Sequence, residues 1–279
     1  MADTGGRIIA KRLAEVIGQP VVVENRPGAG MLIGSSYVSQ SAPDGYTLLW
    51  ATGSIAAAPT MMKSFSLDPL KDFQPITMVA TSNNVLVGST TLKGGTLKDL
   101  VEESKANPGK MFYGTVAPTI TLIFEYLNQI TGANLEMVNY KASPAVWTDL
   151  IGGRVHVMLD GAALTKGHVD AGRARAIAVF GPKRSPVLPN VPTVAEQGYP
   201  GFGIETWVGM WAPRGTPTAI VQRIEEAMAK VMAMPETSRE LQAVGLDAVH
   251  TTSQEFAELI KKDVELWRTV AARANIKPE

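Results

Sequence analysis

The order of its segments predicts an α/β protein with a parallel or mixed sheet covered on both faces. Strand-like runs alternate with runs of helical period, and the strand ends are followed by Gly, Ser or Thr. Composition agrees: 45% of the 279 residues are apolar and 19% charged, which is ordinary for a globular chain. That length suffices for one large domain or two units with separate cores. Ligands of such sheets sit beyond the carboxyl ends of the strands.

Ile8, Ile9, Leu13, Val16 and Ile17 recur at helical spacing, so a helix is expected over 7–17, with Asp3 or Thr4 as N-cap. Residues 20–30, PVVVENRPGAG, read as a short buried strand entering a Gly-rich loop. A helix over 33–41 follows, then the turn Pro43-Asp44-Gly45 and a strand over 46–52 that ends in Thr52-Gly53-Ser54. Residues 59–76, rich in Pro and Asp, read as irregular. Strands near 76–80 and 85–89 lead to a helix over 96–106, capped by Thr96 and stopped by Asn107-Pro108-Gly109.

Residues 111–126, MFYGTVAPTITLIFEY, hold the most informative turn. A strand meets a run of small residues, then a helix capped by Thr119 or Thr121 and carrying Leu122, Ile123, Tyr126, Leu127 and Ile130. A helix start leaves N–H groups unpaired and directs partial positive charge along its axis, so this turn can grip a carboxylate. Taken alone, the stretch is better described as an ordinary βα turn. Beyond it come a strand over 135–140, a helix over 143–152 and strands over 154–160 and 174–180. A Pro-rich connection over 182–201 leads to a strand over 204–212, and helical periodicity covers 220–231 and 256–270.

Several function classes are disfavoured. Lys plus Arg equals Asp plus Glu, at 26 each, so no global field favours nucleic acid or an anionic membrane. There is no Cys, which excludes disulfides and thiolate chemistry. No apolar run approaches the roughly 18 residues that span a bilayer. Met1 is followed by Ala2-Asp3-Thr4-Gly5-Gly6, without a basic and then apolar leader. His156, His168 and His250 lie far apart, and no GxSxG, HExxH or GxxxxGK[ST] motif occurs. Neither catalysis nor a cofactor or metal is therefore expected. Arg26-Pro27-Gly28-Ala29-Gly30 is a weak phosphate-loop candidate without the lysine. Asp149 reads as a solvated helix residue, Asp160 as a ligand contact or a turn former, and Trp50, Trp207 and Trp211 as core.

The segments VVVENRPGAG (21–30), SAPDGYTLL (41–49), ANPGKMFYGT (106–115), NYKASPAVWTDLIGGRVHVMLD (139–160) and KRSPVLPNVPTVAEQGYPGF (183–202) carry a resemblance. In order and spacing they resemble the Bug, or TctC-like, family of periplasmic solute-binding proteins of tripartite tricarboxylate transporters. The resemblance covers nearly the whole chain. It implies a two-lobed type II periplasmic-binding-protein fold, with a hinge between two mixed-sheet α/β lobes. Lobe 1 would hold 1–86 completed by the helices of 213–279, and lobe 2 would hold 87–212.

The resemblance also implies a carboxylate held between two loops at helix N-termini. In lobe 2 these residues would be Gly114, Thr115, Ala117, Thr119 and Thr121; in lobe 1, Asp3 and Thr4. Thr52, Gly53, Ser54, Tyr140 and Ser143 would line the cleft, with Asp160 facing it. The implied function is a monomeric periplasmic receptor that passes a small carboxylate to the membrane subunits of a tripartite tricarboxylate transporter, with no cofactor and no nucleic acid. A ligand sensor that presents its closed form to a signalling partner is the alternative. Two departures stand out. The loop 116–120 is poorer in Gly and Ser than the family's, and Pro118 removes a donor. The family's strand and Pro/Gly loop ahead of Asp3 are missing here, which predicts either a shortened start or weakened binding.

Overall fold

The computed structural model describes residues 2–278. The chain divides into two units, Met1–Ser82 with Thr206–Glu279, and Asn83–Glu205.

Helix α1 (Ala2–Ile17) buries Ile9, Ala10 and Leu13 along one face. It starts at Ala2, so Asp3 and Thr4 lie inside its first turn and do not cap it from outside. Asp3 suits the positive end of the helix and accepts from Arg7 Nε at 3.1 Å and Asn25 Nδ2 at 2.7 Å. The strand expected over 20–30 does not form. Val22 is 86% exposed, and no described strand lies alongside to take the N–H and C=O groups of this segment. Instead, Gly28, Ala29, Gly30 and Met31 turn with φ of 126, 45, 59 and 77° into α2 (Leu32–Ser39).

β1 (Leu49–Thr52) passes directly into α3 (Ser54–Met61), whose alanine run 56–58 carries helix past Pro59. The Pro- and Asp-rich stretch is thus irregular only over 62–72, before β2 (Phe73–Ser82).

The second unit begins with β3 (Asn84–Gly88) and α4 (Leu97–Ala106), which Thr96 caps by accepting from the Asp99 N–H while Asp99 accepts in return. There follow β4 (Phe112–Thr115), α5 (Pro118–Thr131), β5 (Glu136–Asn139), α6 (Ser143–Ile151), β6 (Val157–Gly161), α7 (Ala162–Asp170) and β7 (Arg175–Val179). The sheet order is β5-β4-β6-β3-β7, with β4 parallel to β5 and β6, and β3 antiparallel to β6 and β7. Its core gathers Val85, Val87, Val146, Trp147, Leu150, Met158 and Val179.

The chain then returns to the first unit through β8 (Thr206–Pro213), α8 (Thr218–Met232), α9 (Pro235–Ala243), β9 (Asp247–Ala248) and α10 (Ser253–Arg273). The first sheet has the order β1-β8-β2-β9, and each neighbouring pair is antiparallel. Ile9, Leu13, Ile76, Val79, Val208, Met228, Val231 and Leu246 form its core.

Strand pairing sets the unit boundaries. Residues 83–86, which the resemblance puts in lobe 1, fall in the second unit because β3 pairs with β6 and β7. Residues 206–212 fall in the first because β8 lies between β1 and β2.

Candidate functional site

In the second unit, three parallel strands deliver three helix starts to one edge of the sheet. β5, β4 and β6 lie side by side and run the same way, and their carboxyl ends lead into α6, α5 and α7 respectively. Each of these helices begins without a side-chain cap, on Ala142, Ala117 and Gly161. α8 and α9 also begin uncapped, so the missing cap alone means little. What distinguishes this edge is that three partial positive ends gather there.

The start of α5 is set by Pro118 in its first turn, where a missing N–H costs nothing and φ is already helical. Thr119 and Thr121, expected as caps, therefore lie inside the helix, and Ala117 is the N-cap residue. Thr115 is 2% exposed; its hydroxyl donates to the Ala117 carbonyl at 3.0 Å and lies 3.5 Å from the Thr121 hydroxyl. Gly114 is required by packing. A Cβ there would run into Val146 of α6, so the missing side chain lets α6 lie on β4. Gly114→Val should cost about 1–3 kcal/mol in a urea titration by overpacking. An unchanged midpoint would show that α6 moves freely off β4.

Asp160 closes the end of β6 by accepting three bonds. Ser143 Oγ and Trp147 Nε1 donate to Oδ2 at 2.8 and 2.6 Å, and the Gly161 N–H donates to Oδ1 at 2.8 Å. The carboxylate thereby ties the first turns of α6 and α7 to one strand end, and its charge is largely taken up by these donors. His168 stacks on the Trp147 ring at 3.8 Å between centroids, which fixes the indole from behind. Tyr140 turns its hydroxyl to Asp149 Oδ2 at 2.8 Å, and Arg154 Nη1 meets Oδ1 at 2.9 Å. Asp149 is therefore a bonded anchor and not the solvated residue expected. His156 packs at the start of β6, where Nδ1 accepts the Phe112 N–H at 3.0 Å, and burial holds its pKa below the usual histidine value.

In the first unit the corresponding feature is the junction of β1 with α3. Thr52 ends the strand, Gly53 precedes the helix, and Ser54 is its first residue. The Gly53 N–H donates to the Trp207 carbonyl at 2.8 Å. Trp50, two positions before Thr52, donates its indole N–H to the Ala2 carbonyl at 2.9 Å and joins the start of α1 to β1. Asp3 engages Arg7 and Asn25, and these bonds hold its carboxyl below the usual range. The Met31 sulfur lies 4.0 Å from the Thr52 hydroxyl. Both units share a device that no spacing in the sequence announces: a tryptophan indole bonded to an aspartate behind a helix start, Trp147–Asp160 and Trp207–Asp263. Among the described residues, no group of three or more His, Asp or Glu is placed to hold a metal ion, and no helix is long and apolar enough to cross a membrane.

Two α/β units that exchange the chain twice, with helix starts gathered at strand ends, define the periplasmic-binding-protein class of type II. The family model "Tripartite tricarboxylate transporter family receptor" matches residues 6–276, and the chain belongs to that family. BugT of Bordetella pertussis is 33% identical over 282 residues, covering 99% of this chain and 86% of BugT. The R. palustris protein Rpa4515, solved with adipate, is 33% identical with a TM-score of 0.82, covering 99% of this chain and 94% of that one. MatC from Rhodopseudomonas palustris, solved with bound malate, is 25% identical with a TM-score of 0.78, covering 97% and 94%.

Proposed function

We propose that this protein is a periplasmic solute-binding receptor that captures a small carboxylate and presents it to the membrane subunits of a tripartite tricarboxylate transporter. The observation that carries the binding chemistry is the convergence of α5, α6 and α7 on one sheet edge. Three helix starts place backbone N–H groups and partial positive charge together, and the hydroxyls of Thr115, Thr119, Thr121 and Ser143 lie on the same strand ends and first turns. Gly114, Ala117 and Tyr140 shape that edge, and Asp160 holds it in register. In the first unit we assign the carboxylate contacts to Thr52, Gly53 and Ser54. Asp3 and Thr4 belong to the same assignment through the backbone N–H groups of the first turn of α1, which the bond from Trp50 to Ala2 joins to β1. Adipate and malate in two relatives support the ligand class, and the family description supports the transporter partner. The protein acts as a monomer and turns over no substrate.

A thermal-shift screen against mono- and dicarboxylates tests this directly. A ligand at a hundred times its dissociation constant adds about 2.7 kcal/mol, a clear rise in melting temperature. Thr119→Val and Thr121→Val should each weaken every carboxylate that binds, by about fivefold to tenfold, the value of a lost hydrogen bond. If no carboxylate moves the melt, the receptor reading is wrong. If both variants bind as wild type, the start of α5 is not the anion site.

A further inference from the structure

Behind the start of α3 lies a carboxylate that ligand binding, as described, does not use. The Trp207 indole rests against Gly53 so closely that a Cβ there would stand 2.8 Å from the ring carbon Cε2. The same indole donates its N–H to Asp263 Oδ2 of α10 at 2.7 Å. Trp207 is 2% exposed and is wedged by Trp211 and Phe256, at 5.8 and 5.3 Å between ring centroids. Asp263, the indole and Gly53 thus form one rigid file, from a helix on the outside of the sheet to the residue that opens α3.

The surroundings of Asp263 are apolar. Its neighbours one turn away on α10 are Leu259, Ile260, Leu266 and Trp267. The elements packed most extensively on α10, α3 and β2, carry no ionisable side chain, and neither does β8; Glu225 of α8 meets the start of α10, ten residues before Asp263, by accepting from the Ser253 N–H. Burial pushes the Asp263 carboxyl up to about 6, against which the indole bond acts weakly. A residue needed only for packing would be apolar here. A carboxylate accepts an N–H more strongly than a neutral group and so fixes the plane of the ring.

We propose that Asp263 is a positioning residue for carboxylate capture: it fixes the Trp207 indole, and through that ring the Gly53 backbone at the start of α3. This rests on the reading that Gly53 contacts the ligand.

The titration of Asp263 gives a signature that packing alone does not. Its pKa is raised on folding, so its protonation adds stability that is complete below the ordinary value of 3.8 and is lost as pH rises through about 6. Protonation also turns a charged acceptor into a neutral one and loosens the ring. As pH falls through about 6, this residue's contribution to stability rises while carboxylate affinity falls.

The test uses wild type, Asp263→Asn and Asp263→Leu, with malate and adipate as probes, by calorimetric titration between pH 5 and 8. The ratio of wild-type to Asp263→Asn affinity cancels the probes' own titration. That ratio is expected to fall several-fold as pH drops through about 6. Asp263→Leu should bind about tenfold more weakly at pH 7.5, the effect of losing a charge-assisted bond. Without ligand, the NMR signals of the Trp207 indole N–H and the Gly53 amide should shift together in wild type with one midpoint near 6, and neither should do so in Asp263→Asn. A flat affinity ratio, or an indole that titrates while the Gly53 amide stays still, would overturn the proposal. If neither acid binds wild type at any pH, the receptor reading fails for these acids. The paired NMR titration then decides by itself whether Asp263 positions Gly53.

Discussion

Replacing Trp207 by Ala lowers the unfolding free energy by about 3–5 kcal/mol, read from urea denaturation at pH 7.5. Two losses combine. The ring is 2% exposed and packs on Trp211 and Phe256, so its removal leaves a cavity walled by aromatic rings that cannot collapse. The substitution also strips Asp263 of its donor and leaves a carboxylate among apolar side chains, where the charged form is disfavoured. Trp207→Phe separates the two, because it keeps most of the volume and loses the N–H. It should fall between wild type and Trp207→Ala. Should Trp207→Phe prove as damaging as Trp207→Ala, the hydrogen bond and not the packing would dominate.

Asp160→Ala costs about 3 kcal/mol or more in the same measurement. The side chain accepts from Ser143, Trp147 and the Gly161 N–H, and Trp147 is 5% exposed, so little water reaches the orphaned indole. Each hydrogen bond to a charged group is worth about 1.5–3 kcal/mol when its partner is removed, with overlap among donors that share one carboxylate. Asp160→Asn should recover part of the loss, since its amide oxygen still accepts. A destabilisation below about 1 kcal/mol would mean that the starts of α6 and α7 hold their places without this carboxylate.

Much of the fold was legible because it depends on local period. α4 shows its cap and its buried stripe in ten residues, and α10 shows its buried stripe over 256–270, while its cap by Thr252 and Glu255 appears only in the structure. The core strands β2, β3 and β8 announce themselves as apolar runs because both faces are covered. α7 leaves no mark in the hydrophobic pattern, because only Ala162 and Thr165 on it are buried and no apolar stripe results. β9 has two residues, too few for any period.

The candidate site was half legible. Turns after β1, β4, β5 and β6 could be located, since Gly, Ser, Thr and Pro punctuate them. The start of α6 at Ser143 falls where the sequence places it, whereas α5 starts at Pro118, ahead of the Thr119 or Thr121 expected as cap, because a proline sets its first turn in place of a capping hydroxyl.

The alternation of strands and helices, the apolar faces and the small-residue turns at strand ends are properties of neighbours along the chain and can be read from residue order. The remainder follows from contacts between distant segments. Residues 20–28 have strong β-formers but form no strand, because a strand exists only with a partner to take its backbone bonds. The parallel run of β5, β4 and β6 decides that three helix starts meet at one edge. Trp207 finds Asp263 across 56 positions, and no spacing rule links a strand residue to a helix residue so far away. Local pattern fixes what each segment can become; burial and pairing fix which side chains it meets.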